Sequence, residues 1–111
     1  MKVQQSDIVL LPVPFSDQTT QKIRPAIVIS NNKINNSSED VILVPLTSVL
    51  KDVPYSVFIN QECLSDGKLL VPSRARIDKP FTVHHSLIKA KIGTIKAEIL
   101  TVIKKEIGKI V

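Results

Sequence analysis

The apolar residues of this chain fall into short runs that turn-forming residues interrupt. Four such runs cover Asp7–Val13, Arg24–Ser30, Asp40–Ser48 and Tyr55–Asn60. Runs of this length between turn signals are typical of strands, because a surface helix needs a longer segment with an apolar period near 3.6. The pattern therefore predicts a chain built mainly from strands.

The segments between and after these runs complete the predicted β pattern. Phe15–Ile23 is polar and is expected to be an exposed loop, and Asn31–Asp40 is expected to connect the second and third strands as an antiparallel hairpin. Asp66 and Gly67 predict a turn, after which a further strand is expected over Arg74–Val83.

The apolar period changes only at the end of the chain. Ile99, Ile103 and Ile107 recur at helical spacing and predict a helix over Ala97–Gly108. Lys96 would occupy its N-cap, which is a poor capping residue. Five or more strands followed by one helix indicate a mostly β (α+β) fold, such as a small barrel with a C-terminal helix. The 111 residues are expected to form one domain, residues 1–111.

Composition restricts the possible partners and the compartment. Fifteen Lys and Arg residues against ten Asp and Glu give a net charge of +5, which favours a polyanionic partner. Cys63 is the single cysteine, so no intramolecular disulfide can form and a reducing compartment fits. The sequence has no signal-peptide pattern and no apolar run long enough to span a membrane. We therefore expect a cytoplasmic protein with no membrane partner.

Antiparallel pairing of the second and third strands would bring polar residues together at one end of the sheet. Arg24 begins the second strand, and Thr47 and Ser48 end the third. A guanidinium beside two hydroxyls is suited to bind a phosphate or an oxyanion, because arginine offers a planar fork of donors. A surface arginine beside two turn-forming residues is an equally good reading on geometry alone.

A second group of charged residues occupies alternate positions of the predicted strand Arg74–Val83. If this segment is extended, Arg74, Arg76 and Asp78 project from one face. Such a set could bind a phosphate and supply acid–base chemistry, or it could be a solvated ladder of ion pairs that contributes little to stability. His84 and His85 could also act as acid or base, but we rank them below Arg76 and Asp78 because they are expected in the loop that follows.

No metal or cofactor site is indicated. The sequence contains no CxxC, no HExxH and no phosphate-binding glycine loop. Two adjacent histidines rarely bind one metal ion. We therefore predict no metal and no cofactor.

Several motifs, in order along nearly the whole chain, resemble those of the MazF/PemK toxins. That family commonly has Gly-Asp-Ile-Val in its first strand, Arg-Pro-Ala-Val-Val-Ile-Ser in the second, Pro-hydrophobic-Thr-Ser in the third, and a later Pro-Ser-x-x-Arg-hydrophobic-Asp-Lys. The corresponding segments here are Ser6-Asp7-Ile8-Val9, Arg24-Pro25-Ala26-Ile27-Val28-Ile29-Ser30, Pro45-Leu46-Thr47-Ser48 and Pro72-Ser73-Arg74-Ala75-Arg76-Ile77-Asp78-Lys79. A basic strand with Lys91-Ile92-Gly93 and a closing helix complete the likeness.

The resemblance implies an SH3-like barrel of five to seven strands with a C-terminal helix, assembled as a homodimer. It also implies a type II toxin: a metal-independent endoribonuclease that cleaves single-stranded RNA, usually mRNA, sequence-selectively and is controlled by an acidic antitoxin. In the family's terms the catalytic residues would be Arg24, Thr47, Arg76 and Asp78. Residues that would bind RNA or its phosphates are Ser48, Lys22, Ser73, Arg74 and Lys79.

One branch of the family uses a histidine in the loop before the Arg-Pro motif. This chain has Gln18, Thr19, Thr20 and Gln21 there, so a histidine-assisted mechanism is not expected. The expected reaction is attack of the ribose 2′-OH on its own 3′-phosphodiester, which gives a 2′,3′-cyclic phosphate and a free 5′-OH. Asp78 is the candidate base, whereas the general acid is not identified by the sequence.

Two alternative functions remain open at this stage. CcdB-like toxins share the barrel but poison DNA gyrase by protein–protein contact, which does not need the set of arginines, Thr47 and Asp78. A non-catalytic nucleic-acid-binding module of SH3-like fold would be expected to expose aromatic residues for base stacking. The chain has only four aromatics, one Tyr and three Phe, which weakens this second alternative.

Overall fold

A computed structural model describes residues 2–13 and 22–111 of the chain. Eight strands and two helices are found in this part. They are β1 (Asp7–Val13), β2 (Lys22–Val28), α1 (Asn32–Ser37), β3 (Asp40–Thr47), β4 (Ser56–Ile59), β5 (Leu64–Gly67), β6 (Ser73–Arg76), β7 (Phe81–His84), β8 (Ala90–Ile95) and α2 (Ala97–Gly108). Short 3₁₀ turns at Gln61–Cys63 and His85–Leu87 precede β5 and β8 respectively.

The strands form one curled antiparallel sheet, a half-barrel whose strand order is β4-β6-β3-β2-β1-β8-β5. β7 pairs with β3 beside this path. The mostly β fold with a C-terminal helix is therefore confirmed. The described residues contain eight strands, more than the five to seven that the resemblance implied. The segment expected to be one strand over Arg74–Val83 forms two, and β5 includes the Asp66 and Gly67 that were predicted to form a turn.

Alternate residues of the same strands pack into two separate hydrophobic clusters. On β3, Val44 and Leu46 belong to one cluster, whereas Val41 and Leu43 belong to the other. The first cluster also receives the fully buried Ile103 of α2, so the helix covers that side of the sheet. This division follows from the period of two along a strand. Because both sides of the central strands are buried there, their sequences read as nearly continuous apolar runs.

The chain enters β1 through a tight turn. Ser6 has a backbone φ of +84°, in the left-handed region that favours glycine. Asp7, which follows it, is buried, and its carboxylate accepts a hydrogen bond from the backbone N–H of Gln4 at 2.9 Å. The Lys91 ammonium lies 3.2 Å from the same carboxylate. The Ser-Asp pair thus fixes the start of the sheet.

Several predicted boundaries are confirmed and several are wrong. β1 and α2 match the predicted ranges residue for residue, and Lys96 is the N-cap of α2 without a side-chain hydrogen bond. The short helix α1 was not predicted within the connection over residues 31–40. Most of the expected loop Phe15–Ile23 lies outside the described residues, and its last two residues begin β2 instead.

Two further predictions in the second half of the chain need correction. The predicted turn at Asp66 and Gly67 is the end of β5, where Gly67 pairs with Gly93 of β8 and has φ +85°. The predicted strand Arg74–Val83 is interrupted by a turn at residues 77–80. Asp78 therefore lies in a turn and does not share a strand face with the two arginines.

No helix in the part of the chain that the structure describes is long and apolar enough to cross a membrane. Cys63 ends a 3₁₀ turn and is half-buried.

Candidate active site

The candidate site is built at the end of β3, where the neighbouring strands on both sides supply arginines. Thr47, the last residue of β3, is paired with Arg74 of β6. On the other side of β3, strand β2 pairs with it so that Ala26 lies opposite Pro45. Continued for two more residues, this register aligns Arg24 with Thr47. Directly paired residues of antiparallel strands share one face of the sheet. The register thus supports the predicted approach of Arg24 to Thr47.

Alternation along β6 decides which of its residues face this site. Ala75 and Ile77 are fully buried in the hydrophobic cluster under α2. Arg74 and Arg76 therefore project to the opposite side. Together with Thr47 and three residues that follow β3 they line a cleft of about 270 Å³; those three are Val49, Lys51 and Val53.

Arg76 is held by Asp78 in a bidentate ion pair. Its Nε donates to Oδ1 at 3.0 Å and its Nη2 donates to Oδ2 at 2.8 Å. The turn that ends β6 brings the carboxylate back toward the guanidinium, two residues along the chain. These hydrogen bonds lower the pKa of Asp78 below its ordinary value and raise the pKa of Arg76. Asp78 is therefore an ionised carboxylate at neutral pH.

Arg74 is held by a different carboxylate, from the connection between β3 and β4. Its Nη2 donates to Asp52 Oδ1 at 3.1 Å and its Nε donates to the Ser56 hydroxyl at 2.9 Å. The Arg74 side chain is only 15% exposed, whereas that of Asp52 is 87% exposed. Solvent screens an ion pair with one such exposed partner, so its contribution to stability is small. The ion pair instead positions the connection between β3 and β4, because it links this connection to β6.

The remaining residues predicted to bind RNA fall into two groups. Lys22, Ser48 and Lys79 are exposed, at the start of β2, just after β3 and just after Asp78. Ser73 is different: it is 2% exposed and its hydroxyl donates to the Val71 carbonyl at 3.2 Å. Ser73 pairs with buried Ile59 on the core side of β6, so it offers nothing to an RNA chain and we omit it from the proposed site.

Sequence reasoning missed Lys51, Asp52 and Ser56. All three come from the connection after β3 or from the start of β4, and their closeness to Arg74 depends on how that connection folds back. Strand periodicity carries no information on this path. The only available signal was the charge of Lys51 and Asp52 a few residues after the Thr-Ser motif.

His84 and His85 lie far from the cleft. His84 pairs with Asp40 at the start of β3, seven residues before Thr47, which corresponds to about 20 Å along a strand. Their rings stack at a centroid distance of 4.6 Å, because a 3₁₀ turn begins at His85 and ends the alternation of the strand. A larger depression of about 490 Å³ opens at this end, but its lining, with Lys2, Glu39 and His85, contains no arginine.

Within the described residues no cluster of three or more His, Cys, Asp or Glu side chains could hold a metal ion. The groups that line the cleft are cationic or hydroxyl-bearing, apart from two valines. Such a set is suited to an anion rather than to a cation. The arrangement can bind a phosphate and present one ionised carboxylate beside it.

Comparison with known proteins decides the family. The sequence matches the model of the PemK-like, MazF-like toxin of type II toxin-antitoxin system over residues 4–111. The chain belongs to this toxin family. The family assignment drawn from the sequence motifs is thereby confirmed.

Solved structures of toxins have the same fold. The MazE–MazF structure (Form-III) from Deinococcus radiodurans superposes with a TM-score of 0.79 at 20% identity, covering 99% of this chain and 96% of that one. Mycobacterium tuberculosis toxin MazF-mt6 gives 0.75 at 19% identity and 93% coverage of both chains. An endoribonuclease in complex with its cognate antitoxin, from a mycobacterial species, gives 0.77 at 17% identity, covering 96% and 92%. No curated protein sequence matches the chain.

Proposed function

We propose that this toxin is a metal-independent endoribonuclease that cleaves single-stranded RNA, with mRNA as its target. The observation that carries the proposal is the cleft beside Thr47, in which Arg74 and Arg76 face a common space and Asp78 is held on Arg76. This set combines phosphate binding with a carboxylate base. Neither gyrase poisoning nor passive binding of nucleic acid requires that combination.

The reaction begins with attack of the ribose 2′-oxygen on the adjacent phosphorus. Asp78 accepts the 2′-OH proton, since its lowered pKa keeps the carboxylate ionised. The same lowering makes it a weak base, so we assign most of the rate enhancement to stabilisation of the phosphorane. Collapse of the phosphorane breaks the bond to the 5′-oxygen and leaves a 2′,3′-cyclic phosphate and a 5′-OH.

The phosphorane carries two negative charges, and the site supplies donors for them. Arg24, Arg74 and Arg76 provide charge-assisted hydrogen bonds to its non-bridging oxygens. The Thr47 hydroxyl oxygen accepts a hydrogen bond from the backbone N–H of Val49 at 3.2 Å. Its own hydrogen can therefore be directed to a phosphate oxygen. Lys22, Ser48 and Lys79, which are exposed, would contact the flanking phosphates.

The nucleophile belongs to the substrate, so the reaction needs no metal-activated water. For the same reason DNA, which lacks the 2′-OH, cannot be a substrate. Both consequences separate this reaction from metal-dependent hydrolysis, in which water attacks either nucleic acid.

We further propose that the toxin acts in the cytoplasm as a homodimer and is neutralised by an acidic antitoxin. A net charge of +5 and a cleft lined by Lys51, Arg74 and Arg76 favour an acidic partner. Two of the similar structures are described as complexes, one with a cognate antitoxin and one as MazE–MazF. A two-fold symmetric dimer is the commonest assembly of a chain of this kind.

A fluorescence-quench cleavage assay on mixed-sequence single-stranded RNA in EDTA tests the activity and the site together. The wild type is compared with Arg24→Ala and Asp78→Ala, and with Lys104→Ala on the exposed face of α2 as a charge-matched control. We expect cleavage by the wild type and the control, and a loss of about a hundredfold or more in the two site variants. A folded wild type that leaves RNA intact would overturn the proposal, and gyrase inhibition would then be measured.

A further inference from the structure

An aromatic ring lies exposed on the edge strand beside the cleft. Phe58 belongs to β4, which ends the strand order next to β6, and is 42% exposed. Its two neighbours on the strand, Val57 and Ile59, pack into the hydrophobic cluster under α2. Because side chains alternate along a strand, Phe58 projects to the opposite side, away from that cluster. Packing in the core therefore does not account for this ring.

Two observations place the ring on the face that carries the arginines of the cleft. Phe58 is paired with Arg74, and directly paired residues of antiparallel strands share one face. Ser56, two residues before Phe58, accepts a hydrogen bond from Arg74 Nε at 2.9 Å, so this side of β4 faces the guanidinium. Thr47 is paired with Arg74 from the other side. Thr47, Arg74 and Phe58 thus form one row across three strands, with about 4.8 Å from each strand to the next.

The face of the Phe58 ring is open to a ligand. The Arg74 guanidinium beside it is bonded to Ser56 and Asp52. Within the described residues Phe58 takes part in no ring stacking and no cation–π contact, and the stacked pair of rings found there is His84 with His85, far from the cleft. A cationic surface that follows the phosphates, with aromatic rings beside it, is the combination with which proteins bind single-stranded nucleic acid.

We propose that Phe58 is a base-stacking residue, on whose ring lies the nucleobase next to the phosphate bound at Arg74. This assignment rests on the proposed ribonuclease function and names a contact to a base of the substrate. In a duplex both faces of a base are covered by its neighbours, so the contact requires an unstacked base and selects single-stranded RNA. Every base has a π-face, and purines, with the larger rings, should bind somewhat more tightly at this position than pyrimidines.

The test measures the affinity for an RNA whose cleavage site has first been mapped with the wild type. A single 2′-deoxynucleotide at that site removes the nucleophile and prevents cleavage, and fluorescence anisotropy then gives Kd. The RNA is used intact and in two abasic forms, each of which lacks the base on one side of the scissile phosphate.

The wild type is compared with Phe58→Ala, Phe58→Leu and Phe58→Trp, and with Leu87→Ala as a control. Phe58→Leu keeps an apolar side chain but removes the ring, whereas Phe58→Trp keeps a ring. Leu87 is 43% exposed and lies in the 3₁₀ turn His85–Leu87, at the opposite end of β3, so its truncation removes a similarly exposed apolar side chain. Circular dichroism checks that each variant is folded.

We expect Phe58→Ala and Phe58→Leu to bind the intact RNA about tenfold or more weakly than the wild type, and Phe58→Trp and Leu87→Ala to bind it as tightly. Removal of one of the two bases should weaken wild-type binding by a similar factor and leave the affinity of Phe58→Ala unchanged, because the contact is already lost. If Phe58→Ala weakens the intact and both abasic RNAs equally, the assignment is overturned. A shift in oligomeric state by sedimentation velocity, without dependence on a base, would assign Phe58 to an interface between copies of the chain instead.

The same experiment separates this assignment from the function on which it rests. A wild type that cleaves RNA but shows no coupling between Phe58 and either base overturns the stacking assignment alone. A folded wild type that cleaves no RNA overturns the ribonuclease function, and the stacking assignment with it.

Discussion

Replacement of Asp7 by alanine should destabilise the fold more than any change to an exposed ion pair. The Asp7 side chain is 3% exposed and accepts hydrogen bonds from the Gln4 backbone N–H at 2.9 Å and from the Thr94 hydroxyl at 3.4 Å. A hydrogen bond to a buried charged group contributes about 1.5–3 kcal/mol. The ion pair with Lys91, which is 42% exposed, adds at most about 1 kcal/mol.

Only the 2.9 Å bond is short enough to count in full, and the long 3.4 Å bond and the ion pair together add about 1 kcal/mol. The free energy of unfolding of Asp7→Ala should therefore fall by about 2–4 kcal/mol, which lowers Tm by about 10–20 °C in a domain of this size. Urea unfolding followed by circular dichroism measures the first quantity, and calorimetry measures the second. Asp7→Asn keeps an acceptor for the Gln4 N–H and should lose about half as much. The reasoning is refuted if Asp7→Ala unfolds within about 0.5 kcal/mol of the wild type, or if Lys91→Ala costs as much as Asp7→Ala.

Three further predictions concern backbone geometry and the charge of the site. Ser6→Gly should raise the free energy of unfolding by about 0.5–1 kcal/mol in urea titrations. The φ of +84° strains a residue that carries a Cβ, and the relief of this strain outweighs the extra conformational entropy that glycine has in the unfolded chain. Gly67→Ala should lower the thermal midpoint clearly, since φ is +85° and a Cβ would lie 2.2 Å from the Ile92 carbonyl oxygen; an unchanged midpoint would show that β5 can shift away. The RNA cleavage rate should stay level as pH falls from 7 to about 5 and decline only below about 4, because hydrogen bonding lowers the pKa of Asp78; a decline near pH 6 would point to another base.

The fold was predictable from sequence where burial dictates the pattern. β1 and α2 were predicted residue for residue, because an apolar run and a helical period reflect how each element is buried. The helix α1 was missed because none of its six residues is buried, so no period marks it. It depends instead on local polar contacts, such as the Asn31 side chain that accepts from the Ile34 N–H at 2.9 Å.

The candidate site residues that lie on strands could be predicted from the sequence, whereas the positions of those on turns could not. Arg74 and Arg76 follow from alternation along β6, and Thr47 follows from the antiparallel register. Asp78 was expected on the same strand face as Arg76. Instead the chain turns after β6, and the Asp78 carboxylate contacts Arg76 from within this turn. The aspartate and the arginine meet in either geometry because they are two residues apart. Lys51 has no such local relation to Arg76, so only the folded chain brings them together.

In the proposed reaction, the charges of the cleft together with Arg24 would match the transition state better than the substrate. Its three cations, Lys51, Arg74 and Arg76, are opposed by the carboxylates of Asp52 and Asp78, which leaves one net positive charge. A bound phosphodiester carries one negative charge and balances it. The phosphorane carries two, and we propose Arg24 as the further cation that the second charge needs, since the register of β2 and β3, carried two residues further, would align it with Thr47. Interactions that strengthen only in the transition state raise kcat rather than lower KM. Arg24→Ala should therefore reduce kcat and leave KM nearly unchanged in steady-state RNA cleavage, and a loss confined to KM would mean that Arg24 only binds the substrate.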